Sequence, residues 1–479
     1  MLKASNFDTI STITESDIEH MESNVGPFYF VDKKRLNEAF FANMYLKYEN
    51  CLFDCQKKSF YLYEPETGLW RARETEFIKE QIANFTRSFC KQQGLYMLLS
   101  CITNQFTRNC VEIAKGIVGV KDPFFDSKGD FKVHCQSGVL EISSENQSWV
   151  LRGFSPDDLS RNRTEISYDP EAGIPNRFLN ELLKPVLTAD EIDILQMYVG
   201  QCLLGVNYSQ KFLLITGAAG TGKSTLVEVI KKLVNPENAT EFRAEHLSSR
   251  FEIGRYYDMT LLLGSDVSEN FLNAKGIGNL KKLTGHDTLT GEDKGSNQKI
   301  NIKGDFNVVI TSNSLPAIRM ENDSDAWRRR LLWIQYRTNP NKQKIANFAE
   351  ELIQEEGSAI MNWALEGALK LYQNGKSINV AATVMEEIDA LLAETDSVRL
   401  FVQKCVKPSE GRDITNKELF NKYNRYAIMH DLEPYGSQKA FSRHVNTAIS
   451  QILREKNTHS IERNGLWTTG FRNLTAVVE

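Results

Sequence analysis

The chain has 479 residues, too many for one ordinary core and about three domains' worth at ~150 residues each. Hydrophobic residues make up 41%, charged residues 25%, and there are only 12 prolines, which excludes a disordered or low-complexity chain. The net charge of −5 argues weakly against broad nucleic-acid binding, which the distribution of charge along the chain tempers. No stretch approaches 18 uninterrupted apolar residues, and the start, Met1 to Thr9, lacks the basic-then-apolar order of a secretion signal. We therefore expect no membrane span and a cytoplasmic location. Eight cysteines are scattered along the chain; Cys51 and Cys55 form the closest pair, with no second Cys/His cluster to complete a zinc site, so free thiols are expected.

Taken in order, residues 1–25 are polar and acidic and read as a flexible arm. Residues 26–165 read as an α+β domain. In it Phe60 to Trp70 forms two short strands around a turn at Pro65 to Gly68, and Thr75 to Cys90 and Tyr96 to Gly116 are helical. Ser143 to Ser167 is polar and suits a boundary. Residues 166–210 carry apolar side chains at helical spacing (Phe178, Leu179, Leu182, Leu183, then Ile192, Ile194, Leu195, Tyr198). Residues 211–378 read as one domain in which Lys211 to Tyr336 alternates strand and helix as a parallel sheet requires, with candidate strands Phe212 to Thr216, Thr260 to Gly264, Phe306 to Ser312 and Leu331 to Tyr336. Residues 379–395 link to a last segment, 396–479, with three helices and then a hairpin turning at Arg463-Asn-Gly465, the order of a winged helix. That segment holds 13 Lys or Arg against nine Asp or Glu.

The first strand runs into Gly217-Ala-Ala-Gly220-Thr221-Gly222-Lys223-Ser224-Thr225, followed by a helical pattern. This is the phosphate-loop pattern G-x-x-x-x-G-K-[ST] in its strand–loop–helix setting. Backbone N–H groups left open at the helix start, with the positive end of its dipole, make an anion cavity. Lys223 can reach the β- and γ-phosphates of ATP and the Ser224 hydroxyl can ligate Mg2+. The second strand ends at Asp266, where a carboxylate can hold the metal through water and polarise an attacking water; Glu269, three residues on, is a second acid. The third strand ends at Asn313, an amide able to bond the γ-phosphate or that water. Arg328-Arg329-Arg330 then offers charge for the transferring phosphoryl group; consecutive residues diverge, so at most two can serve.

The order of these motifs, with Leu280-Lys281-Lys282-Leu-Thr-Gly-His-Asp287 between Asp266 and Asn313 and Trp327 ahead of the arginines, resembles the superfamily 3 helicases. More narrowly it is similar to the helicase part of phage, plasmid and poxvirus-type primase-helicases. The resemblance runs from Phe28 to the C-terminus and is most specific from Lys211 to Tyr336. It implies an AAA+-like ATPase core with a parallel sheet, preceded by the α+β domain and a helical oligomerisation collar at 166–210, and followed by a winged helix. It implies a cis ATP site of Lys223, Ser224, Asp266 and Asn313, and a trans finger at Arg329, with Arg330 second. Lys281 and Lys282 would lie toward the pore of a homo-hexamer. A hairpin across residues 288–302 would carry Lys294, or else Lys299, to single-stranded or forked DNA. Family members usually carry Glu where Asp266 stands, and no primase metal pair is evident before the collar. The resemblance implies a 3′→5′ helicase that replicates a mobile element in a bacterial or infected host cell, with a separate primase or other replication proteins as candidate partners. Lys439, Arg443 and Arg463 of the winged helix would meet origin duplex DNA, with a protein-docking module as the alternative use of that fold. A protein-remodelling AAA+-like ATPase and a monomeric P-loop kinase stay open on the loop and acids alone.

Overall fold

The computed structural model describes residues 13–478, apart from 125–130, 144, 146, 269–270, 275, 293–298, 316–323, 339–344, 395–396 and 431–434; for 324–326 and 391–394 only the backbone is described. Two units arise: residues 1–130 with 151–163, and residues 131–150 with 164–479. The expected 26–165 domain is thus interrupted. Phe131, Val133, Cys135 and Leu140 belong to the core of the second unit.

In the first unit a four-stranded sheet runs in the order Leu69–Arg73, Ser59–Glu64, Cys51–Asp54, Gly119–Val120. Phe40, Phe41, Phe89 and Phe106 pack mostly edge to face beside it. Residues 15–25, expected as a flexible arm, form a helix. Thr14 and Asp17 make a reciprocal capping box, and Met21 is buried in the core. Residues 1–12 lie outside the described residues.

The second unit is built on a parallel five-stranded sheet. Its helix α1 (Ala189–Leu204) precedes strand β1 (Phe212–Thr216), and helix α2 (Lys223–Val234) follows it. Then come β2 (Ala239–Glu241) and β3 (Leu261–Gly264), helix α3 (Gly278–Thr284), the antiparallel pair β4 (Thr288–Glu292) and β5 (Lys299–Lys303), and β6 (Asn307–Ser312). Helix α4 (Ser324–Arg330) leads into β7 (Leu331–Gln335). The sheet order is β2-β3-β6-β1-β7. Every residue of β1, β3 and β6 is buried, which is why these strands read as unbroken apolar runs rather than alternations.

The segment expected as a separate collar lies inside this core. Helix α1 packs on α5 (Phe348–Gln373) backbone to backbone: a methyl at Gly200 would sit 2.3 Å from the Ala368 nitrogen, and one at Gly367 2.0 Å from the Gln196 oxygen. Eleven of the 16 residues of α1 are buried, so little of this helix is left to face a neighbouring subunit.

The last segment forms its own core from Val398, Phe401, Leu419, Tyr423, Phe441 and Val445. Its helices are Ser397–Cys405, Asn416–Met429 and Gln438–Ile452. Strand Leu466–Phe471 lies between Ile414–Thr415 and Thr458–Arg463. The hairpin turns on Asn464 and Gly465, both at positive φ, as a tight two-residue turn needs. No described helix is long and apolar enough to cross a membrane.

Candidate nucleotide site

The loop between β1 and α2 is shaped by three glycines at positive φ: Gly217 (+148), Gly220 (+79) and Gly222 (+108). Gly217 passes so close to the next strand that a methyl there would meet the Tyr336 carbonyl oxygen at 2.4 Å. Thr221 Oγ1 closes the loop on the Ala218 carbonyl at 2.9 Å. The first-turn N–H groups of Lys223, Ser224 and Thr225 have no acceptor within the helix, and no side chain caps the start of α2. Ser224 is exposed at this mouth and Thr225 is half-buried.

Lys223 is 4% exposed. Its Nζ donates to the carbonyls of Gly217 (2.6 Å) and Ala218 (2.9 Å) and to Asn313 Oδ1 (3.0 Å). Asn313 Nδ2 in turn donates to Asp266 Oδ1 at 3.2 Å. Lysine, amide and carboxylate from three separate elements thus form one hydrogen-bonded row. Sheet order explains it: β6 lies between β1 and β3, so Asn313 stands between Lys223 and Asp266. Burial lowers the Lys223 pKa and the nearby Asp266 carboxylate opposes that shift.

Asp266 adopts φ +47, a left-handed conformation uncommon outside glycine. Thr311 holds it there: its Oγ1 accepts the Asp266 N–H at 3.1 Å and its carbonyl accepts the Val267 N–H at 3.0 Å. Sequence reasoning passed over Thr311, which looks like any residue of a buried strand. Glu269 and Lys294 lie outside the described residues.

The three arginines at the end of α4 have three different surroundings. Arg328 forks onto Asp389, Nε to Oδ1 at 2.5 Å and Nη2 to Oδ2 at 2.7 Å. Arg330 is half-buried beside the Gly285 turn, where a methyl on that glycine would meet Arg330 Nη2 at 3.2 Å. Arg329 is exposed. Its position relative to the loop is set by register: Phe212 pairs with Leu331 and Thr216 with Gln335. Arg329 precedes β7 at the sheet edge opposite the loop, and β1 alone spans about 13 Å at ~3.3 Å per residue. One arginine side chain does not bridge that distance to its own Lys223.

The antiparallel pair β4–β5 stands where the hairpin was expected, with Glu292 opposite Lys299 and Lys299 exposed. It is braced by the helix Arg250–Arg255. Gly254 lies against Gly291 and Glu292, leaving 2.3 Å between a methyl at Gly254 and the Glu292 oxygen. The 3%-exposed Glu252 anchors that helix by pairing with Arg243 and Arg255 and accepting from Tyr256 Oη at 2.9 Å. On α3, Lys282 is exposed, whereas Lys281 lies over the Trp327 ring, 4.6 Å from its centroid.

In the last segment, Lys439 and Arg443 are exposed one helical turn apart on Gln438–Ile452. Arg463 is tied down: its Nε pairs with Glu418 Oε1 at 3.1 Å, and Glu418 itself closes the Thr415 capping box. The hairpin tip instead exposes Leu466 and Trp467.

Known proteins resemble parts of this chain. A family model described as a family of unknown function (DUF5906) matches residues 215–330, the span from the phosphate loop to the arginines. A protein of Acanthamoeba polyphaga mimivirus named "Putative helicase L207/L206" is 25% identical over 241 residues, 47% of this chain. The chain spans about a quarter of that relative's length, 23%. Two apo structures of the NrS-1 C-terminal region align over 90% of this chain and 98% of theirs, at 13% and 14% identity and TM-scores of 0.44 and 0.43. Such values establish neither fold nor function.

Proposed function

We propose that the chain is an ATP- and magnesium-dependent DNA helicase of the superfamily 3 type, working as a homo-hexamer in replication of a phage, plasmid or related mobile element. The observation that carries this reading is the row Lys223–Asn313–Asp266 at the mouth of the phosphate loop, with Arg329 exposed at the opposite sheet edge. A head-to-tail ring would bring the Arg329 edge of one copy to the loop edge of the next. The helicase name of the mimivirus relative and its 25% identity agree with the reading.

In this proposal the triphosphate lies along the first turn of α2, with Lys223 on the β- and γ-phosphates. Ser224 and Asp266 would hold Mg2+, which supplies charge neutralisation to the phosphates. Asn313 orients the attacking water and Asp266 accepts its proton. The neighbour's Arg329 stabilises the charge of the transferring group. The β4–β5 hairpin, with Lys299 and Lys294, follows one DNA strand in the 3′→5′ direction. The C-terminal segment acts as a winged helix, with Lys439 and Arg443 toward duplex DNA at an origin and a primase recruited separately.

ATPase rate and duplex unwinding, measured with and without single-stranded DNA, test the proposal. The expected result is DNA-stimulated hydrolysis that Lys223→Ala and Asn313→Ala remove. Hydrolysis indifferent to every DNA, with no strand separation, overturns it.

A further inference from the structure

The backbone of the arginine helix is held from several sides. Lys211, the residue before β1, is 9% exposed and donates from Nζ to the Arg329 carbonyl at 2.6 Å. Phe212 meets Trp327 edge to face, with ring centroids 6.1 Å apart, and Lys281 occupies the same indole. Arg328 is fixed on Asp389. Arg328 and Arg329 are both exposed, but Arg328 is engaged by Asp389, while Arg329 extends from the backbone that Lys211 holds.

Lys211 is itself anchored. The buried Asn207 accepts from the Lys211 backbone N–H at 3.2 Å and donates to its carbonyl at 2.7 Å. The ammonium thus grows from a fixed root and meets the carbonyl end of α4, where a helix favours a cation. Burial pushes this amine below its usual range, so the position is costly for a lysine serving only as filler. An aliphatic side chain would fill the space without that cost, but would leave the Arg329 carbonyl without this donor.

We propose that Lys211 is the positioning residue for Arg329, joining the strand that ends in one subunit's phosphate loop to the arginine that completes the neighbour's site. Lys211 and Gly217 flank the same five-residue strand, paired in register on both sides. A movement of β1 as the loop takes or releases phosphate carries Lys211, and with it the finger. The inference rests on the shared-site reading above and adds the link between successive sites.

The test uses full-length protein. Lys211→Met keeps the stem and removes the donor; Lys211→Gln, run in parallel, keeps a polar head too short to reach. Melting curves establish folding of each. The expected result is a kcat lowered about tenfold or more with KM for ATP unchanged within about twofold, since the binding loop is intact. Adding Lys211→Met to Arg329→Ala should lower kcat no further. Mixing Lys211→Met with Lys223→Ala subunits should restore hydrolysis, because the second chain supplies an intact finger to the first chain's intact loop. No restoration, or a loss in the double variant multiplying that of Arg329→Ala, overturns the positioning role. If Lys223→Ala and Arg329→Ala subunits also fail to complement, the shared site itself is at fault; if they do complement, only the Lys211 link is lost.

Discussion

Gly217 and Gly220 stand in one loop and have the same side chain, yet their replacement by alanine should differ sharply. Both lie at positive φ, where an L-residue costs about 1–3 kcal/mol. At Gly220 that is the whole cost, because nothing lies within 4 Å of an added methyl. At Gly217 the methyl meets a backbone oxygen at 2.4 Å. That oxygen cannot swing aside like a side chain, because Tyr336 is tied to β1 by its N–H on the Thr216 carbonyl at 2.8 Å. Relieving the overlap costs a further ~1–3 kcal/mol. If the strain falls on the loop conformation that binds phosphate, Gly217→Ala should bind ATP roughly five- to a hundredfold more weakly than Gly220→Ala, at 1.4 kcal/mol per tenfold. Titration with a fluorescent ATP analogue, alongside a thermal melt to establish folding, measures it. Equal affinities for the two variants, or weaker binding by Gly220→Ala, would refute the reasoning.

The brace under the hairpin gives a second prediction. Gly254→Val intrudes on the Glu292 backbone and should displace β4, leaving basal hydrolysis close to wild type while DNA stimulation is lost; an unchanged ratio of stimulated to basal rates counts against the hairpin's role. The Glu252 carboxyl gives a pH dependence. Burial raises its pKa, but hydrogen bonds from Arg243 and Tyr256, with Arg255 nearby, outweigh burial and hold it below 4.5. Its stabilisation is therefore complete above about pH 4.5 and disappears as pH falls through the lowered folded value. Glu252→Gln should cost about 1–3 kcal/mol in denaturant melts at pH 7, with the gap closing in acid; a gap independent of pH contradicts the assignment. Arg328→Ala frees Asp389 at the surface and should change hydrolysis little, whereas Arg329→Ala should lower kcat roughly a thousandfold; similar rates for the two would remove Arg329 from its proposed role.

Much of the sheet was legible because its strands are buried on both faces, and Phe212–Thr216, Leu261–Gly264, Asn307–Ser312 and Leu331–Gln335 match the apolar runs to within a residue or two. The edge strand Ala239–Glu241 was missed, since three mixed residues at a sheet margin carry no period. Motif order named Lys223, Asp266 and Asn313, and the fold brings them into one hydrogen-bonded row. What local pattern could not show were the long-range supports. Lys211 reaches a carbonyl 118 residues away, and the Gly254–Gly291 contact depends on two glycines that read alone as turn residues. The helix Ala189–Leu204 showed its apolar spacing, but not that α5 would cover it through Gly200 and Gly367. Trp467, exposed at the hairpin tip, gave no signal apart from that of a strand residue.

The central claim is that each ATP site is built by two copies of the chain, and one mixture tests it most directly. Lys223→Ala subunits lack the phosphate lysine and Arg329→Ala subunits lack the finger, so each alone should be nearly inactive. Mixed in equal amounts into one ring, about a quarter of the interfaces would pair an intact loop with an intact arginine, and hydrolysis should recover toward that fraction of wild type. A mixture no more active than its two components would contradict the account.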